Sequence, residues 1–269
     1  MLIFGIVNAT PDSFSGDGLA QRAAPFSLAD WAGAGADVLD LGAESTRPGA
    51  EDVPAATEWD RLAPVLAALP PPENRAFRVS IDTRKPAIFQ KAAAFGAQIW
   101  NDVSALRGDP DSPAIAAAMG CDVVLMHMQG APADMQTAPA YDDVVAEVIG
   151  FLQERCAIAE SAGVRPDRLW VDPGVGFGKT LAHNLALLRA LPRIRVETGK
   201  RVLVGASRKR FIAALDPAGA DPADRLGGSL AAALWAALAG ADAVRVHDVA
   251  PTRQALRLWR ELAIAPKAS

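Results

Sequence analysis

Leu169-Trp170-Val171-Asp172-Pro173-Gly174-Val175-Gly176-Phe177-Gly178-Lys179 is the stretch that decides the fold. A short apolar run of strand type stops at Asp172. Pro173 then removes a backbone donor, and glycines at 174, 176 and 178 let main chain approach a neighbour or ligand closely. A carboxylate at the end of a buried strand needs a partner. A lone example reads equally as a turn with a solvated aspartate. The chain, however, repeats the arrangement.

Seven more apolar runs close on polar or glycine-rich segments: Leu2–Val7, Asp37–Leu41, Phe77–Asp82, Gln98–Asp102, Asp122–Met126, Arg201–Val204 and Ala243–Val246. Most lack clean alternation, as expected of strands buried on both faces. Helix-like stretches lie between them: Ser27–Ala34, Ala55–Leu69, Pro86–Phe95, Pro113–Met119, Tyr141–Ala162, His183–Leu191, Pro222–Ala239 and Pro251–Leu262. Every gap between strand ends holds the dozen or more residues of a parallel crossover. Eight strand–helix alternations in 269 residues, close to the ~250 typical of the fold, predict a single-domain (β/α)8 barrel over residues 1–269. An open doubly wound sheet is the second reading, but Gly5-Ile6-Val7-Asn8 is no dinucleotide-binding turn.

Composition narrows the class. The chain is 51% hydrophobic and 22% charged, which suits a well-buried globular protein. Its net charge of −4 argues against general nucleic-acid or membrane-surface binding. Cys121 and Cys156 have no metal-type spacing and read as reduced thiols. Met1–Val7 reads as a first strand, not a signal peptide, and no run approaches the ~20 apolar residues of a membrane span. The expectation is a soluble protein of the cytoplasm.

In a barrel, the residues just beyond the strands share one face. That face receives Asn8; Glu44, Ser45, Thr46 and Arg47; Asp82; Asn101 and Asp102; His127; Asp172; Ser207, Arg208 and Lys209; and Arg245 with His247. Each has an ordinary structural explanation: Asp82 and Asp102 as helix caps, the histidines as satisfied structural residues. Their convergence is harder to explain that way. Arg47, Lys209, Arg245 and His247 make an anion site for phosphate or diphosphate. Asp82, Asn101 and Asp172 make an acceptor-rich pocket for a nitrogen-rich ring.

These residues also carry a resemblance. Asn8-Ala9-Thr10-Pro11-Asp12-Ser13-Phe14-Ser15 is similar to the first loop of dihydropteroate synthases, and Glu44-Ser45-Thr46-Arg47-Pro48-Gly49 to their second. Ile81-Asp82-Thr83, Asn101-Asp102, Leu125–Met128, Asp172–Lys179, Ser207-Arg208-Lys209 and Arg245–Asp248 follow in the family's order.

The resemblance implies condensation of 6-hydroxymethyl-7,8-dihydropterin diphosphate with 4-aminobenzoate to 7,8-dihydropteroate and diphosphate, in folate synthesis. It implies Asp82, Asn101, Lys209 and Arg47 as catalytic residues, and a pterin held by Asp82, Asn101, Met126, Asp172, Gly205 and Lys209. Diphosphate falls to Asn8, Thr46, Arg47, Arg245 and His247, with Mg²⁺ as cofactor and Asn8 as its ligand. Aminobenzoate falls to Phe14, Ser45, Thr46, Pro48, Phe177 and Ser207. It further implies a homodimer, sulfonamide sensitivity and an SN1-like path. Departures are small: Ala9 for valine, Ser15-Gly16-Asp17-Gly18 for SDGG, and no hairpin before the first strand. A corrinoid-dependent pterin methyltransferase and a non-catalytic pterin-binding paralogue are the competing readings. Neither accounts for the intact loop motifs beside the cationic set.

Overall fold

The computed structural model describes residues 1–9, 33–45, 50, 52–130 and 135–263. Eight parallel strands close into a barrel in chain order, which excludes the doubly wound sheet. They are β1 (Leu2–Asn8), β2 (Val38–Gly42), β3 (Arg78–Asp82), β4 (Ile99–Asp102), β5 (Asp122–Met126), β6 (Leu169–Asp172), β7 (Arg201–Val204) and β8 (Ala243–Val246). No strand end departs from the expected run by more than one residue.

The described helices are α1 (Ala55–Ala67), α2 (Pro86–Ala93), α3 (Ser112–Met119), α4 (Val144–Ser161), α5 (Leu181–Arg189), α6 (Leu191–Thr198), α7 (Arg210–Leu215), α8 (Leu226–Leu238) and α9 (Val249–Ala263). Three features differ from the sequence expectation. His183–Leu191 lies across two helices, because Pro192 has no N–H to continue α5 and instead sits in the first turn of α6. Pro222–Arg225 is a short 3₁₀ turn ahead of α8. Helix α7, only six residues long, is too short to show a period. The helix expected at Ser27–Ala34 lies outside the described residues apart from helical Gly33 and Ala34.

Side chains alternate across each strand, so every second residue points into the barrel. Phe4, Val38, Ile99, Val124, Trp170, Leu203 and Ala243 form one apolar cluster drawn from seven strands. Phe4 meets Trp170 edge-on at 6.1 Å. This layer plugs the barrel. The opposite strand faces pack with the helices into a separate, larger core. Two residues beyond each plug residue, on the same inward face, stand Ile6, Asp40, Asn101, Met126, Asp172, Gly205 and Arg245. The polar layer thus rests directly on a dry one. Among the described residues no helix is long and apolar enough to cross a membrane.

Candidate active site at the barrel mouth

The centre of the site is one guanidinium between two carboxylates. Arg245 Nε donates to Asp40 Oδ2 at 2.5 Å, and its Nη2 donates to Asp82 Oδ2 at 2.7 Å. Asn101 Nδ2 also donates to Asp40 Oδ2, at 3.1 Å. Strand register produces the grouping, since Asp82 pairs with Gly42 on one side and Asn101 on the other. All three acidic and amide side chains are buried. Asp40 Oδ1 and Asp82 Oδ1 are buried and accept from no donor among the described residues.

Burial drives the Asp82 carboxyl up from its ordinary 3.8 to about 7; Arg245 opposes that rise, while Asp40, Asp102 and Glu58 add to it. Burial also works against the charge on Arg245, but Asp40 and Asp82 outweigh it and keep the guanidinium protonated. The anion site expected from Arg245 is therefore modified. This cation is already engaged by carboxylates. His247, counted with the cations, is neutral: burial, then Arg208 and Arg245, push its pKa down to about 3. Its ring Nδ1 lies 3.1 Å from Ser207 Oγ, and its backbone N–H donates to the same hydroxyl.

Across the mouth, Asp172 accepts the Gly174 N–H at 2.7 Å. Burial raises its pKa, against the pull of that N–H, Lys209, Arg245 and Lys179. Gly205 lies between Asp172 and Arg245: a Cβ there would stand 3.7 Å from Asp172 Oδ2 and 4.0 Å from Arg245 Cβ. The glycine loop after Asp172 is held by side chains. Gly176 N–H donates to Asn184 Oδ1 at 2.6 Å, while Gln136 and Tyr141 donate to the Gly176 and Gly178 carbonyls, each at 2.8 Å. Lys209 passes over this loop, its Nζ 3.9 Å from the Phe177 ring centroid. Met126 joins Val103, Met128 and Met135, with Phe177 beside them, in a small apolar wall.

Asn8 closes β1, half-buried and opposite Gly42. Ser45 follows β2 and is half-buried. Phe14, Thr46, Arg47 and Pro48 lie outside the described residues. Several members of the strand-end set have structural duties. Asp102 accepts from the Ser104 N–H and hydroxyl and the Leu106 N–H, capping its own turn. Glu44 accepts from Arg84 and Lys85, each at 3.0 Å, and Lys85 continues to buried Glu58 at 2.7 Å. Arg208 is fixed on Asp248. His127 meets Lys179 Nζ at 3.0 Å, and burial followed by Lys179 lowers its pKa to about 3. Lys179, itself buried, falls to about 7 chiefly through burial, and donates to the Phe177 carbonyl at 2.9 Å.

Sequence reasoning missed Asp40, which sits inside an apolar run. Its signal was an aspartate two positions after an inward-facing valine. Lys179 was visible but carried no assigned role.

The chain is similar to known proteins in both sequence and fold. The model for the "Pterin binding enzyme" family matches residues 4–247. Dihydropteroate synthase of Neisseria meningitidis serogroup C is 46% identical over 266 residues, 97% of this chain and 93% of that protein. The structure of Xanthomonas albilineans dihydropteroate synthase with 4-aminobenzoic acid superposes with a TM-score of 0.86 at 46% identity, covering 98% of this chain and 94% of that one. The Yersinia pestis dihydropteroate synthase in a sulfonamide drug complex gives 0.88 at 39% identity, with coverage of 98% and 94%. With the closed barrel, a family match over residues 4–247 and 46% identity across 97% of its length, the chain belongs to the pterin-binding enzymes and, among them, to the dihydropteroate synthases.

Proposed function

We propose that the enzyme joins 6-hydroxymethyl-7,8-dihydropterin diphosphate to 4-aminobenzoate by breaking the C–O bond before the C–N bond forms. The observation that carries this reading is the buried pair Asp40 and Asp82 sharing one guanidinium. With Asp82 ionised, two carboxylates against one cation leave net negative charge, and two buried oxygens lack a donor among the described residues. Preorganised charge of this kind favours a cation developing on the dihydropterin methylene. Both electrons of the C–O bond leave with diphosphate. The arylamine lone pair then forms the C–N bond and the amine gives up its proton. No enzyme nucleophile takes part.

Asp172 faces the amino-pyrimidine edge, where a carboxylate makes a two-point, charge-assisted bond. Met126 lines the ring slot, with Asn101 and Gly205 at its sides. Lys209 lies over Phe177, its stem and the ring shaping the aminobenzoate pocket together with Ser45, Ser207, Phe14 and Pro48. Neutral His247 donates to diphosphate, alongside Asn8, Thr46, Arg47 and Arg245. Among the described residues no three His, Cys, Asp or Glu side chains converge as a metal site. Asn8 offers a single hard oxygen, a donor set that fits Mg²⁺ held mainly by diphosphate and water. When bound, Mg²⁺ neutralises leaving-group charge.

The test is diphosphate release with and without 4-aminobenzoate. Aminobenzoate-dependent release supports the reading; pterin binding without release overturns it. The order of bond breaking is read from substrate carrying ¹⁸O in the C–O–P bridge. Scrambling of the label into non-bridging positions is expected before product forms, and its absence points to concerted displacement. Sulfamethoxazole is expected to compete with aminobenzoate, and an inhibition constant far above the aminobenzoate KM would sink that expectation.

The reading extends to a cytoplasmic homodimer. Free, buried Cys121 and Cys156 suit a reducing compartment. Adjacent helices α8 and α9 leave Leu238, Leu258 and Leu262 66%, 62% and 76% exposed, with Trp235 half-exposed beside them. Light scattering is expected to give twice the chain mass, falling to a monomer in Leu238→Glu/Leu258→Glu. A wild-type monomer contradicts this.

A further inference from the structure

We propose that Asp40, which touches no substrate in the scheme above, is a positioning residue that divides the Arg245 guanidinium between two carboxylates and so keeps one oxygen of Asp82 out of the arginine's grip. The proposal rests on the synthase reading and concerns how its cation-stabilising carboxylate is placed.

The Nε and Nη2 hydrogens of arginine form one edge, spaced to seat both oxygens of a single carboxylate. The same molecule contains that arrangement: Arg208 Nε donates to Asp248 Oδ2 at 3.0 Å and Nη2 to Asp248 Oδ1 at 2.6 Å. At Arg245 the same edge is split. Nε goes to Asp40 and Nη2 to Asp82, each using one oxygen. Asp82 Oδ1 is thereby left without a donor among the described residues. Asp40 is fully buried in the middle of β2, so it has no solvated alternative. Without its charge, the Arg245 edge is free to close on both oxygens of Asp82, as Arg208 does on Asp248. Asp40 has a second effect. It accepts the Asn101 Nδ2 hydrogen at 3.1 Å, which fixes the orientation of that amide.

The experiment is a double-mutant cycle on diphosphate release, using Asp40→Asn, Arg245→Gln and the pair. At a pH of about 8.5, where Asp82 is ionised with or without the Asp40 charge, Asp40→Asn is expected to lower kcat about 10–100-fold, with aminobenzoate KM within about twofold and thermal unfolding near wild type. In the Arg245→Gln background the same change is expected to cost less than about threefold, because the cation it restrains is gone. Equal losses in both backgrounds, or a wild-type rate for Asp40→Asn, overturn the proposal while leaving the synthase reading intact. A wild type without aminobenzoate-dependent release overturns the reading itself. If Asp40→Asn does not fold, Asp40→Ser, smaller and uncharged, runs the same cycle with the same criteria.

Discussion

Replacing Asp82 by asparagine is expected to lower kcat about 10²–10³-fold, or roughly 3–4 kcal/mol in the barrier, while leaving aminobenzoate KM nearly unchanged. The substitution keeps the shape of the side chain and removes its charge. The loss therefore isolates electrostatic stabilisation of the cation from packing. Asp82→Ala is expected to lose at least as much, since it also frees one end of Arg245. The pH profile gives an independent check. The reactive form is the carboxylate, and burial places its pKa at about 7, despite Arg245 and with help from Asp40, Asp102 and Glu58. Wild-type kcat/KM is therefore expected to rise with pH to a plateau above about 7, and the residual activity of Asp82→Asn to lose that limb. The linkage to folding has the opposite slope. Between about 4 and 7 the folded chain keeps a proton that the unfolded chain has released, so the contribution of this group to stability falls as pH rises through that window. An Asp82→Asn enzyme retaining more than about a tenth of the wild-type kcat would remove Asp82 from the chemistry.

The largest structural effect is expected at Gly174. Its φ is +66°, and an added Cβ would lie 1.8 Å from the His127 carbonyl oxygen. That oxygen is main chain next to β5 and cannot swing aside. Gly174→Ala thus combines left-handed strain with a clash that moves the loop whose N–H holds Asp172. A destabilisation of about 3–5 kcal/mol is expected, or roughly 6–12 °C in Tm, together with weakened pterin binding. Gly199→Ala is the control. Its φ is +63°, yet nothing lies within 4 Å of its added Cβ, so only the backbone term applies, about 1–2 kcal/mol. Equal unfolding temperatures for the two variants would contradict the close approach at Gly174.

The barrel was legible in the order of the chain because parallel strands buried on both faces read as continuous apolar runs. Each run here ended where a polar or glycine-rich loop began. Their bounds held to a residue, since a strand four to seven residues long is limited at each end by the first residue that needs water, a turn or a ligand. The helices were less legible at their ends. Pro192 divides a continuous apolar pattern, and α7 is shorter than two helical turns.

The sequence by itself determined which polar groups stand at the barrel mouth: Asn8, Asp82, Asn101, Asp172, Ser207, Lys209, Arg245 and His247 all follow or end strands, and strand ends must share a face once the sheet closes. It did not determine their charge states or partners. His247 is a cation by residue type and neutral by burial. Arg245 is an anion-binding residue by type and is held by two carboxylates in the fold. Asp102 belongs to the polar set by position and spends its acceptors on its own turn. Asp40 escaped notice because both faces of β2 are buried and the inward one carries no alternation signal. Only closure of eight strands brings Asp40, Asp82, Asn101 and Arg245 within hydrogen-bonding distance. Protonation and pairing depend on burial and on neighbours distant in sequence, and those exist only after the barrel has closed.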